Sequence, residues 1–319
     1  MQLLARKSER LETVIVIACP GQGSQTPGFL SEWISLPGAQ HFLEEASAYS
    51  GVDLITHGTT SDADTIRDTR IAQPLIVAAS MLAFRQLASR LTVHNVGIAG
   101  HSVGEFAAAA IAGVLSDADA MQLVGIRASA MAHAASLDET GMSAVVGGTE
   151  SEVLELISSL GLTAANRNGP GQIVAAGKRS ALNQLAEQAP RGTRVISLQV
   201  SGAFHTAFMQ PAVQELSRAA ELVTPHDPSL PLWTNSDGTI VRSGHDYLSS
   251  LVTQVSNPVR WDLCLDSFSQ HNITGFIELA PAGALTGIAK RALKDVECVA
   301  VKTPSDLDDA VRLLSSASA

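Results

Sequence analysis

Short apolar runs alternate with helix-period patterns along nearly the whole chain, which confines it to an α/β architecture with a parallel sheet. Residues 13–18 (TVIVIA) read as a strand closed by Pro20 and Gly21, and 96–99 as a short strand running into Gly100. Helical patterns cover 71–90 and 106–112, and Ser116 stands where it would cap a further helix through 135. From about 139 the texture changes to strand 142–147, helix 150–160, strands 162–165 and 172–176, helix 180–188 and strand 194–198. That β-α-β-β-α-β order is the ferredoxin-like motif, short enough to be an inserted subdomain. The alternation then resumes with a helix from 207, a strand near 231–234, a helix from 261, a strand at 275–279, a helix from 284 and a last strand at 298–301. The expected organisation is an N-terminal extension at 1–12, a large α/β domain from 13–138 and 202–319, and a small subdomain at 139–201.

Charge and cysteine content exclude several functions. The chain carries 21 Lys+Arg against 31 Asp+Glu, a formal net charge of -10. Non-specific nucleic-acid binding needs a basic footprint that this balance does not supply, so no nucleic acid is expected as partner. Cys19, Cys264 and Cys298 are too few and scattered for a disulfide framework or a zinc site, and reduced thiols fit a cytoplasmic protein. The N-terminus lacks the continuous apolar core of a signal peptide. The longest apolar stretch, around 106–115, is too short to span a bilayer, so no membrane association is expected.

Within this frame, GHSVGE at 100–105 carries the G-x-S-x-G nucleophile elbow, with Ser102 between an apolar strand and an Ala-rich helix. Glycines two residues either side let the chain turn sharply and leave the serine exposed. The following helix, expected to start at the serine, turns its free N–H groups and positive dipole end towards developing negative charge. A structural turn is the alternative.

Arg127 falls on the apolar stripe formed by Ala120, Leu123, Val124, Ala130 and Met131, with no acid three or four residues away. An inward guanidinium needs an anion. A distant Asp or Glu supplies it, or a ligand carboxylate does, for which the planar fork is suited; spacing alone leans to the structural ion pair. Among nine histidines, His205 stands in an apolar segment just before a helix, where a polar ring needs a reason; a satisfied core histidine is the alternative. His101 adjoins Ser102 but should diverge from it, and His245 and His271 read as surface residues. The loop Gly21-Gln22-Gly23-Ser24-Gln25 lacks both common phosphate-loop spacings and fits better as a source of oxyanion-hole N–H groups.

Taken together, PGQGSQ (20–25), AQP (72–74), GHSVGE, the Arg127 helix, GMSAV (141–145) and ANRNGPGQIVAAG (165–177) closely resemble the malonyl-CoA:acyl-carrier-protein transacylase family. GAFH (202–205), NPVRW (257–261) and ELAPAGALTGIAKR (278–291) continue the resemblance, and the wording of GAFHTAFMQPAV and NPVRWDLC looks most like the actinobacterial branch. The resemblance implies an α/β-hydrolase-like large domain with a ferredoxin-like insert, Ser102 as nucleophile and His205 as general base. It implies Arg127 as clamp for the malonyl carboxylate, and the N–H groups of Gln22 and Val103 as oxyanion hole. It also implies that backbone carbonyls of the N-P-V-x-W loop orient the histidine; Arg260 stands there where some members have Gln. Phe204 before the histidine and Val103 after the serine accompany malonyl rather than methylmalonyl use in related domains, and a bulky ring there leaves little room for an α-methyl.

The implied chemistry is ping-pong acyl transfer from a coenzyme A thioester to the phosphopantetheine thiol of an acyl carrier protein, serving fatty-acid biosynthesis with no metal or redox cofactor. Lys290, Arg291 and Lys294 are candidate contacts for an acidic carrier, with a solvated helix face as the alternative. Two rivals are an esterase or thioesterase on the same elbow, whose usual order places the histidine late, and a non-catalytic carrier-docking protein.

Overall fold

The computed structural model describes residues 15–316; the extension at 1–12 and the expected strand start at 13–14 lie outside them. Strands β1 (Ile15–Cys19) and β2 (Val96–Gly100) are buried at every position, as strands covered on both faces by helices must be. The next four strands, β3 (Thr140–Gly147), β4 (Thr163–Arg167), β5 (Gln172–Lys178) and β6 (Thr193–Ser197), belong to a second sheet. β7 (Leu232–Trp233), β8 (Ile240–Val241), β10 (Gly275–Glu278) and β11 (Glu297–Ala300) return to the first, while β9 (Val259–Arg260) joins the second.

The large sheet runs β11-β10-β1-β2-β7-β8, parallel except for the terminal β7–β8 hairpin. Helix Asp117–Ala135, capped by the Ser116 side chain as its sequence suggests, packs against helices Ala39–Ser50, Thr69–Ala88 and Gln210–Ala220. Thr69–Ala88 corrects one expectation. It is long and apolar enough to cross a bilayer by length and composition, yet most of it is buried inside the protein.

The small sheet runs β6-β3-β5-β4-β9. Its first four strands are antiparallel neighbours in the 4-1-3-2 order of the ferredoxin-like motif. Period-two alternation splits their side chains between two cores. Val145, Ile173 and Ala175 face helices Glu150–Ser159 and Arg179–Glu187, whereas Met142, Ala144, Val174 and Ala176 join the main core. The fifth strand was not expected: β9 lies in NPVRW and pairs parallel to β4, tying the small sheet to the large part of the chain.

Helices Ala39–Ser50, Gly244–Thr253 and Leu307–Ser316 also went unread in the sequence. The helix expected from 207 is a single 3-10 turn, Ala207–Met209, before the α-helix Gln210–Ala220.

Candidate active site

The turn from β2 into helix Gly104–Ile111 brings backbone against backbone. A side chain on Gly100 would lie 2.2 Å from the Glu105 nitrogen, and one on Gly104 would lie 2.1 Å from the Cys19 carbonyl oxygen. Both positions therefore require glycine, and the elbow reading is a packing requirement of this fold. The helix begins at Gly104 rather than at the serine, and Ser102 itself takes a left-handed backbone with φ 52°. The Asn235 side chain brackets this strained residue, accepting the Ser102 N–H at 2.8 Å and donating to the Gly100 carbonyl at 2.7 Å.

His205 is also left-handed, with φ 61°, and its N–H donates to the Val255 carbonyl at 3.2 Å. Its Nδ1 lies 2.8 Å from the Gln254 carbonyl oxygen, which can only accept, so Nδ1 carries the proton and Nε2 is left as acceptor. Nε2 lies 2.7 Å from Ser102 Oγ. Burial, then the Arg127 charge, push the imidazole down to about 3, so it stands neutral, with Nε2 unprotonated, beside the hydroxyl at neutral pH. The nearest orienting carbonyl belongs to Gln254, just upstream of the N-P-V-x-W loop, and the backbone of Asn257, the first residue of that loop, also bonds the ring. Arg260 is not involved, since its guanidinium pairs with Asp262 at 2.8 Å.

Arg127 is 1% exposed, and among the described residues no carboxylate forms an ion pair with it. Amide oxygens hold it instead: Nη1 donates to Gln73 Oε1 at 2.6 Å and Nη2 to Gln254 Oε1 at 3.0 Å. Nη2 is also 3.4 Å from Ser102 Oγ, and Nε has no hydrogen-bond partner among the described residues. The structural ion pair towards which spacing leans is thus not made. Burial lowers the guanidinium to about 9, which leaves it cationic at neutral pH. The nearest acid in its field is Glu105, which burial pushes up to about 8 and which the Gln254 side chain separates from it. A buried cation without a counter-ion, with one N–H unspent and a hydroxyl nucleophile alongside, is arranged for an anionic ligand.

A cavity of about 540 Å³ at the carboxyl ends of β1 and β2 is lined by Gln22, Ser102, Val103, Arg127, Phe204 and His205, so all six residues singled out in the sequence meet there. Neither the Gln22 nor the Val103 N–H donates to a backbone acceptor among the described residues. The Gln22 loop is anchored by Gln25 Nε2 to the Ile66 carbonyl and by its own side chain to the Arg67 carbonyl. His101 turns away from Ser102, as expected, to Asn168 Oδ1 at 2.8 Å. His245 is exposed, but His271 is half-buried edge-on to Trp233, which corrects its reading as a surface residue.

Four supporting residues escaped sequence reasoning: Gln73, Glu105, Asn235 and Gln254, all buried. A polar residue amid apolar neighbours, as Gln73 is within AQPLIVAAS, was the available signal.

Residues 16–312 match the acyl transferase domain family. A Mycobacterium tuberculosis protein named malonyl CoA-acyl carrier protein transacylase is 49% identical over 302 residues, covering 94% of this chain and 100% of that one. A crystal structure of MCAT from Mycobacterium tuberculosis superposes with a TM-score of 0.91 at 49% identity, covering 93% of this chain and 99% of that one. A malonyl-transacylase solved in complex with its type II PKS acyl-carrier protein gives 0.89 at 28% identity, covering 94% and 100%. With the family match spanning almost all described residues and the Ser102–His205–Arg127 constellation in place, the chain belongs to the acyl transferase domain family and is an acyltransferase.

Proposed function

We propose that this protein moves the malonyl group from malonyl-CoA to the phosphopantetheine thiol of an acyl carrier protein through a malonyl-Ser102 intermediate. The observation that carries the reading is Arg127, a buried guanidinium without an ion-pair partner among the described residues, 3.4 Å from a serine hydroxyl that is hydrogen-bonded to a neutral imidazole. His205 Nε2 takes the proton of Ser102 Oγ as the oxygen adds to the thioester carbonyl, and the Gln22 and Val103 N–H groups receive the oxyanion. The C–S bond breaks, and the coenzyme A sulfur leaves with the proton from His205. The carrier thiol then gives its proton to His205 and attacks the acyl-serine, and Ser102 recovers a proton as it departs. Arg127 holds the distal carboxylate throughout.

Phe204, 6% exposed at the cavity wall beside the base, limits the space next to the acyl α-carbon and supports malonyl over methylmalonyl use. Lys290 and Arg291 are exposed on helix Ala284–Ala292 at the cavity's border and Lys294 on the turn after it, and Arg291 itself lines the cavity, which supports docking of an acidic carrier there. The complex known for a related malonyl-transacylase and its acyl-carrier protein supports the same partner. The reading needs no resident metal or cofactor and places the enzyme in cytoplasmic fatty-acid synthesis. It divides the chain into a catalytic body from 13–138 and 202–319 and an insert at 139–201, supported by the separate apolar core of the small sheet.

The deciding experiment is intact-mass spectrometry after incubation with malonyl-CoA, with and without phosphopantetheinylated carrier. One malonyl unit on Ser102 that passes to the carrier is the expected result. Rapid release of free malonate without transfer would make the protein a thioesterase, and absence of any adduct would make it a carrier-docking protein.

A further inference from the structure

Glu105, the last residue of GHSVGE, does not line the cavity and is 1% exposed. Beside side-chain bonds to Thr234 and Tyr247, two partners hold its carboxyl: Oε1 accepts the Asn235 N–H at 2.7 Å, and Oε2 accepts from Gln254 Nε2. From those two partners the bonds fan out across the site. Asn235 accepts the Ser102 N–H and ties down Gly100, while Gln254 Nε2 donates to the Ser102 carbonyl at 3.1 Å. Both peptide groups of the left-handed nucleophile are therefore held by residues that Glu105 holds. The same Gln254 accepts from Arg127 through its side chain and from His205 through its main chain. Strained backbone persists only where its surroundings over-determine it, and a buried carboxyl is costly unless its partners use it. The Gln254 amide also stands between the acid and Arg127, so the carboxyl orients the guanidinium's partner without occupying the guanidinium.

We propose that Glu105 is a positioning residue of the transfer reaction, locking Ser102, His205 and Arg127 into one geometry through Asn235 and Gln254. The proposal rests on the malonyl-transfer reading for the role of Arg127, but not for the nucleophile, which can be measured separately. Glu105→Gln keeps size and the oxygen facing Asn235, but sets an N–H donor against the Gln254 donor. Labelling of Ser102 by a fluorophosphonate should slow by about 10- to 100-fold, the range expected for losing one buried bond to a charged or strongly polar group. In malonyl transfer, kcat should fall by a similar factor, and KM for malonyl-CoA should rise by up to about tenfold as Gln254 loosens its hold on Arg127.

Glu105→Asp retracts the acceptor by one methylene and should give a smaller loss in the same direction. Ser80→Ala serves as control, since it removes one buried hydroxyl bond, to the Ala280 carbonyl at 2.8 Å, that involves none of these residues. Its labelling rate should stay within about threefold of wild type. A folded Glu105→Gln that labels at the wild-type rate would overturn the proposal, as would equal slowing in Ser80→Ala. Insolubility of both Glu105 variants would assign the carboxyl to the fold alone and overturn it too. If wild-type protein labels with the fluorophosphonate yet takes no malonyl group, the transfer reading fails while the labelling test of Glu105 stands.

Discussion

Replacing Arg127 with alanine separates carboxylate recognition from catalysis. The guanidinium edge formed by Nε and Nη2 has one unpaired N–H and one long contact to Ser102 Oγ, at 3.4 Å, so two donors can turn to a ligand carboxylate. Charge-assisted hydrogen bonds to a buried carboxylate contribute about 1.5–3 kcal/mol each, or about 3–6 kcal/mol for the pair. At 1.36 kcal/mol per factor of ten, kcat/KM for malonyl-CoA should fall by about 150- to 25,000-fold. An acetyl thioester has no carboxylate to lose and feels only the loosened Gln254 and the missing long contact, so its loss should stay below about tenfold. The assay is acyl transfer from malonyl-CoA and acetyl-CoA side by side, with thermal unfolding as companion. The companion is needed because the truncation strips Gln73 Oε1 of its donor, at a cost of about 1–3 kcal/mol. Equal losses on both thioesters in a folded variant would refute the reasoning and make Arg127 structural.

Three further outcomes follow from the same geometry. Phe204→Ser opens the wall beside the base and should raise the methylmalonyl-to-malonyl ratio of kcat/KM by about tenfold or more, since one methylene is worth about 10–200-fold in a fitted pocket; an unchanged ratio removes Phe204 as the discriminating residue. With His205 pushed down to about 3, the acid limb of kcat/KM should lie well below the ordinary histidine value of about 6.5, with activity at pH 5 near that at pH 7. The stability sign agrees: the unfolded chain takes up this proton below about 6.5 and the folded chain does not until about 3, so this group removes about 1.4 kcal/mol per pH unit on acidification through that window. Gly104→Ala drives a methyl to 2.1 Å from the Cys19 carbonyl and 2.7 Å from that of Pro20 and should destabilise the fold by more than about 3 kcal/mol, read as a fall in Tm with loss of Ser102 labelling.

Much of this protein is local and therefore legible in its residues. The TVIVIA and Val96–Gly100 runs, the Ser116 cap and the β-α-β-β-α-β order declare their elements because strand and helix periodicity are written in consecutive side chains. The elbow is likewise readable, since two glycines around a serine are what a sharp strand-to-helix turn needs. The inward position of Arg127 follows from helix spacing, but its partner does not. Whether an acid met it could be decided only when helix Thr69–Ala88 delivered Gln73 and the segment after helix Gly244–Thr253 delivered Gln254, amides distant in the chain. The short β9, with two residues and no periodicity, took its identity from pairing with β4. The carbonyl that orients His205 and the carboxyl of Glu105 are no different: a backbone oxygen has no letter in the sequence, and a glutamate's partners are set by which strands and helices converge on it. The sequence determined the chemical groups and the turns that present them, while the distances and burial that make Ser102 a nucleophile and leave Arg127 open to an anion arise only from packing between segments more than a hundred residues apart.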